Sequence, residues 1–216
     1  MKDWDWDLDF WNSEDWRNAQ LKLEEEPFNP GIDNFFLPFL LTPFKEVHCA
    51  IICQDPYPNP DYAMGPCLSV PNSSSSYIPP TLRSVLDEYV ADLHLPFPTT
   101  TDLTPWAKQG VFLWNALPTC RQWESKSHDW PEWHELTSEI VKRLDKKSVV
   151  FVFMGSVARR HIIHTSASSC TIELCHPSPR ASLNSSRRNI PSIRGSRLFT
   201  TINDELGSNR IDWRLR

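Results

Sequence analysis

The sequence predicts an α/β fold: a single domain with a central four-stranded parallel sheet flanked by helices. Three observations carry that expectation. Four short apolar runs end in turn-forming residues: 47–52 before Gln54-Asp55-Pro56, 111–114 before Asn115, 148–154 before Gly155-Ser156, and 171–175 before His176-Pro177. Stretches of helical period separate them, which makes parallel pairing through right-handed crossovers the economical arrangement. A chain of 216 residues, 40% of them hydrophobic, is long enough to bury one full core.

Residues 1–30 read as an acidic N-terminal arm, and 31–216 as the α/β domain. Residues 1–26 hold nine acids against three bases. Ser13 is placed to cap a helix over 14–26 with acids in its first turn, and Pro27 and Pro30 end it. The arm offers no chemistry, so peripheral packing or a partner contact is expected of it. The apolar stretch 35–44 is broken by Pro38 and Pro43 and reads as a short helix or irregular segment.

The first strand must turn at Gln54-Asp55-Pro56-Tyr57-Pro58, because two prolines forbid its continuation. A loop through Gly65 leads to Cys67-Leu68-Ser69-Val70, the polar run 72–76 and Pro79-Pro80. Thr81 is expected to cap a helix whose Leu82, Val85, Leu86, Tyr89, Val90 and Leu93 form a core face. Trp106-Ala107-Lys108-Gln109-Gly110 opens onto the second strand. Asp129 and Pro131 open a helix to about 145. The third strand feeds a basic helix with Arg159 and Arg160, and after the fourth an Arg- and Ser-rich loop precedes a last helix over 197–206.

Composition narrows the function classes. The net charge of −5 argues mildly against a nucleic-acid binder, yet residues 180–216 carry eight Arg against three acids. Such a local surplus attracts phosphates despite an acidic total, because charges are screened beyond about 8–10 Å. The six cysteines lack paired CxxC spacing, so zinc and iron–sulfur sites are not expected, and several sit in apolar runs as buried thiols would. The start of the chain is acidic where a signal peptide is basic, and no apolar run approaches the ~20 residues of a membrane span. An intracellular protein follows, nuclear in a eukaryotic host and cytoplasmic in a bacterial one, with no membrane partner.

In a parallel sheet, the turns after all four strands emerge along one edge, where ligands of such folds bind. Asp55, Asn115, Gly155-Ser156 and His176 therefore converge on one crevice. The plainer readings are that Asp55 and Asn115 cap their own turns, that His176 is structural and that Tyr57 is a core aromatic.

With these blocks in order, the chain resembles the uracil-DNA glycosylase superfamily, specifically its principal uracil-excising family, from Cys49 to about Trp213. The blocks are Gln54-Asp55-Pro56-Tyr57, Gly65-x-Cys67-x-Ser69-Val70, Pro79-Pro80, Trp106 to Val111 ending at Asn115, Gly155-Ser156, His176-Pro177-Ser178-Pro179 and Ile211-Asp212-Trp213. The resemblance implies a monofunctional DNA glycosylase of base excision repair, acting without metal or cofactor on uracil flipped from single- or double-stranded DNA. By that similarity Asp55 positions the attacking water and stabilises the sugar cation, while His176 hydrogen-bonds the departing base. Asn115 reads the base edge, Tyr57 excludes the thymine methyl, and Gln54 contributes pocket contacts. Pro79, Pro80, Gly155, Ser156 and Ser178 grip the DNA backbone. A monomer is expected, with room for a protein inhibitor or a replication partner.

Three departures stand out. Leu68 occupies the place of an aromatic ring that stacks on the base, a contact worth ~1–3 kcal/mol. Pro58 replaces a histidine. Arg180 stands where a leucine wedge enters the duplex, followed by an insertion through Arg194; it either fills the vacated stack or is an ordinary exposed charge. These departures keep two alternatives open: a catalytically weak DNA-binding or replication-accessory subunit, and a glycosylase for a modified base.

Overall fold

The computed structural model describes residues 5–72, 77–183 and 189–215. The start of the acidic arm, the serines at 73–76, Arg187, Arg188 and Arg216 lie outside the described residues. Ser13 caps helix α1 (Glu14–Glu24), its hydroxyl accepting from Trp16 N at 3.1 Å, which satisfies one of the helix's free amides.

Strands β1 (Cys49–Cys53), β2 (Val111–Asn115), β3 (Val150–Met154) and β4 (Thr171–Leu174) form one sheet. All pairings are parallel and the order is β2-β1-β3-β4. The first three strands, the edge strand β2 among them, are buried along their whole length because helices cover both faces, whereas β4, at the other edge, is partly exposed. Helices α2 (Pro80–Leu93), α3 (Pro131–Asp145) and α4 (Leu198–Leu206) supply most of that cover.

Successive strand side chains point to opposite faces, so the core is split in two. On one side Cys49, Ile51, Val111, Leu113, Val150 and Val152 meet the apolar stripes of α2 and α4. On the other, Ala50, Ile52, Phe112, Trp114, Phe151 and Phe153 meet α3 and a dense aromatic layer. All six cysteines are free thiols, and all but Cys170 are buried.

Three expectations are corrected, and one element was not foreseen. The acidic arm is not peripheral: Trp6 is fully buried with its ring 4.5 Å from Phe112, and its indole donates to Thr42 O at 2.9 Å. Burying an indole yields more than solvating it once the N–H has an acceptor. Helix α2 starts at Pro80, so Thr81 lies inside the first turn instead of capping it. Asp129 caps nothing at α3, where Trp130 is the N-cap; its carboxylate meets His134 Nε2 at 2.6 Å. An antiparallel pair, Phe28–Asn29 with Cys120–Arg121, was too short to leave a periodic signal. Among the described residues, no helix is long and apolar enough to cross a membrane.

Candidate active site

The site is assembled by pairing that continues past the strand ends. Cys53 lies opposite Asn115 in register, and beyond it Ala116 N donates to Cys53 O at 3.0 Å and Leu117 N to Gln54 O at 2.9 Å. The turn carrying Asp55 is thereby stitched to the turn after Asn115. On the other side Gly155 N donates to Leu174 O at 3.0 Å, which sets β3's end against β4's. Gly155 has φ +94, and a Cβ there would come 3.2 Å from His176 Cβ, so glycine alone fits both the backbone and the imidazole.

These turns enclose a cavity of about 130 Å³. Asp55, Asn115, His176, Tyr57, Gln54 and Leu68 all line it. It is small beside the ~300–1,000 Å³ of general ligand clefts, and suits one planar ring. A second, open groove of about 630 Å³ adjoins it and shares Gln54 and His176; Lys126, Gly155, Ser156, Arg159 and Ser178 line that groove.

Asp55 is held by three donors. Gln54 Nε2 reaches Oδ1 at 2.8 Å, while Ser125 Oγ and Lys126 N reach Oδ2 at 2.7 and 2.6 Å. A carboxylate has about four acceptor positions, so one direction stays available to a water or a cation. Asp55 is therefore an oriented negative charge rather than the cap of its own turn.

His176 Nδ1 accepts from Ser178 N at 3.2 Å. That acceptor role places the proton of a neutral ring on Nε2, making Nε2 a donor. Burial depresses the His176 pKa below its usual 6.5, against the opposing pull of Asp55, and the Lys126 charge adds to the depression. The neutral ring is thus favoured on both counts. Asn115 is only 4% exposed, and its Oδ1 has no protein donor among the described residues. A buried amide acceptor left open at a cavity wall is a demand for a ligand N–H.

Tyr57 donates its hydroxyl to Leu68 O at 3.1 Å, and burial raises the phenol pKa well above 10.0, so the hydroxyl stays protonated. Its carbonyl and that of Pro58 accept from Asn29 Nδ2 at 2.9 and 2.7 Å. Leu68 adopts φ +66 and is 8% exposed, so the apolar contact expected of it is a wall of the cavity. Pro79 is buried and Pro80 exposed at the start of α2, where Thr81 also reaches the cavity. Arg180 is exposed on the short helix Pro179–Leu183, outside both the cavity and the groove linings given above.

Sequence reasoning missed Ser125, Lys126 and Asn29. The first two lie in an ordinary polar stretch, and Asn29 acts from a strand of two residues. Only the fold brings them to Asp55 and to the Tyr57-Pro58 backbone. Ser178, expected at DNA, also holds the imidazole through its main chain.

Comparisons with known proteins point to one family. The family model described as the Uracil DNA glycosylase superfamily matches residues 43–207. A uracil-DNA glycosylase of Wolinella succinogenes is 38% identical over 192 residues, covering 86% of this chain and 79% of that protein. One from Flavobacterium johnsoniae is 35% identical, covering 85% and 82%. Among solved structures, a mimivirus uracil-DNA glycosylase superposes with a TM-score of 0.83 at 23% identity, covering 96% of this chain and 85% of its own. A substituted form of the mimivirus protein in complex with UGI gives 0.85 at 25% identity, covering 96% and 87%.

Proposed function

Because the chain belongs to the Uracil DNA glycosylase superfamily, we propose that the cavity at its strand ends receives a uracil flipped out of DNA. The chain is a hydrolase of base excision repair: it cleaves the N-glycosidic bond between uracil and deoxyribose. The bonding pair stays with the base, leaving positive charge on the sugar and negative charge on uracil. A water oxygen then adds to the anomeric carbon, and its proton passes to Asp55.

Each side chain meets one of these charges. Asp55, fixed by Gln54, Ser125 and Lys126, orients the water and lies against the sugar cation, where a preorganised charge acts without further reorganisation. His176 Nε2–H donates to the uracil carbonyl as the base becomes anionic. Asn115 Oδ1 accepts the N3–H of uracil, which cytosine lacks, and its amide N–H₂ donates to the neighbouring carbonyl. Tyr57 walls the cavity and leaves no room for a methyl group at C5. Pro80, Ser156 and Ser178 meet the DNA backbone around the mouth. Every residue assigned to the chemistry comes from one chain, so a monomer suffices. A protein inhibitor that covers this mouth competes with DNA.

The observation that carries the reading is the open acceptor of Asn115 in the same cavity as Asp55 and the Nε2–H of His176. The test is uracil release from a labelled oligonucleotide, read as strand cleavage after alkali, with and without a chelator. Cleavage in both conditions supports the assignment, and none in either refutes it.

A further inference from the structure

The geometry points to the loop of residues 121–127 as a further nucleic-acid contact: the Trp123 indole stacks on an unpaired base next to the uracil, and the Lys126 ammonium meets a backbone phosphate over the adjoining groove. This rests on the glycosylase reading above, adds Trp123 to it, and gives the Lys126 side chain a role beyond the main-chain bond to Asp55.

Trp123 is 69% exposed and makes no ring contact with a described residue, in a chain whose other tryptophans largely serve the core. It is nevertheless not loosely held. Its main-chain N–H donates to Pro58 O at 2.7 Å, tying the backbone to the turn that carries Asp55. Two residues on, Ser125 lines the cavity and binds Asp55; one further, Lys126 binds Asp55 through its main chain and lines the groove. The loop thus runs from the Asp55 turn past the cavity, with an exposed indole at Trp123 and with Lys126 in the lining of the groove.

The backbone is strained to achieve this. Trp123 and Lys126 have φ of +70 and +62, a region that side-chain-bearing residues avoid and that persists only where surroundings impose it. The imposing contacts are on hand: Arg121 N donates to Ser127 Oγ at 2.7 Å, Ser127 Oγ to Glu124 O at 2.8 Å, and Arg121 binds both Glu26 and Glu124. Glu124 is therefore engaged by Arg121, and Lys126 forms no ion pair with a described residue. Arg159, the other cation of the groove, is paired with Glu173 at 2.9 Å. An aromatic platform beside an unpaired cation is the combination that grips single-stranded nucleic acid, since every base has a face to stack and every nucleotide a phosphate.

The test compares wild type, Trp123→Ala, Trp123→Phe and Lys126→Gln on a single-stranded oligonucleotide with one uracil, measuring affinity and uracil release. Trp123→Ala is expected to raise KM about tenfold, with kcat and thermal midpoint unchanged, and Trp123→Phe to recover most of the loss. Replacing the base on either side of uracil by an abasic spacer should abolish the Trp123→Ala effect on one of the two substrates. Lys126→Gln should reduce the slope of log affinity against log salt by about 0.7. Variants that bind and cleave like wild type overturn the contact, as does a Trp123→Ala loss that persists on both spacer substrates. Were wild type to release no uracil while Trp123→Ala still weakened binding, the contact would stand and the glycosylase reading would fall.

Discussion

The two walls of the cavity are built on different principles. One consists of strand ends: Asn115 closes β2 in register with Cys53, Asp55 follows β1 by two residues and His176 follows β4 by two. The other consists of loop residues, Leu68, Ser125 and the neighbouring Lys126, two of them in the left-handed region. The groups proposed to carry charge or read the base edge stand on the first wall. Groups that brace or shape the cavity stand on the second. A parallel sheet fixes its edge whatever the loops contain, so chemistry kept at strand ends tolerates loop divergence such as Leu68 and Pro58.

If that division holds, losses should shrink on passing from the first wall to the second. Asp55→Asn removes the charge proposed to face the sugar cation, and single-turnover uracil release should fall by about a hundredfold to a thousandfold. Asn115→Ala removes the proposed reader of the base edge; kcat/KM on uracil should drop about thirtyfold, equivalent to ~2 kcal/mol. Ser125→Ala deletes one of the three donors to Asp55 and should cost about fivefold in kcat, ~1 kcal/mol, with KM nearly unchanged. A Ser125 effect as large as that of Asp55→Asn would break the comparison, because bracing would then equal the charge itself.

The smallest effect is a shift in pH dependence. Burial lowers the His176 pKa, and the ring acts as a neutral Nε2 donor, so the acid limb of kcat should lie below pH 6.5. Lys126 contributes to that depression, and Lys126→Gln should move the limb upward. The same depression bears on folding. The unfolded chain binds the proton first, so this histidine's contribution to stability is present above pH 6.5 and is lost as pH falls through the folded value. An acid limb above 6.5 in wild type would contradict the neutral-imidazole assignment.

Legibility in the sequence follows the same line. The strands were readable because four apolar runs end in turn residues, and that alone placed Asp55, Asn115, Gly155 and His176 on one edge. Ser125 and Lys126 were not readable, since a polar loop carries no periodicity and their meeting with Asp55 spans about seventy residues of chain. Trp6 was misplaced for a related reason: four alternating acids masked an apolar set, Trp6, Leu8 and Phe10, that packs inward. Thr81 was read as a cap because its hydroxyl suits one, while the rigid Pro79-Pro80 pair starts the helix first.

The central claim is that one cavity brings Asp55, Asn115 and His176 to a single uracil. A crystal structure of the Asp55→Asn variant with a uracil-containing oligonucleotide tests it most directly. The base should lie in the cavity with its N3–H on Asn115 Oδ1 and a carbonyl on His176 Nε2. A uracil bound elsewhere, or seated there with neither contact, would contradict it.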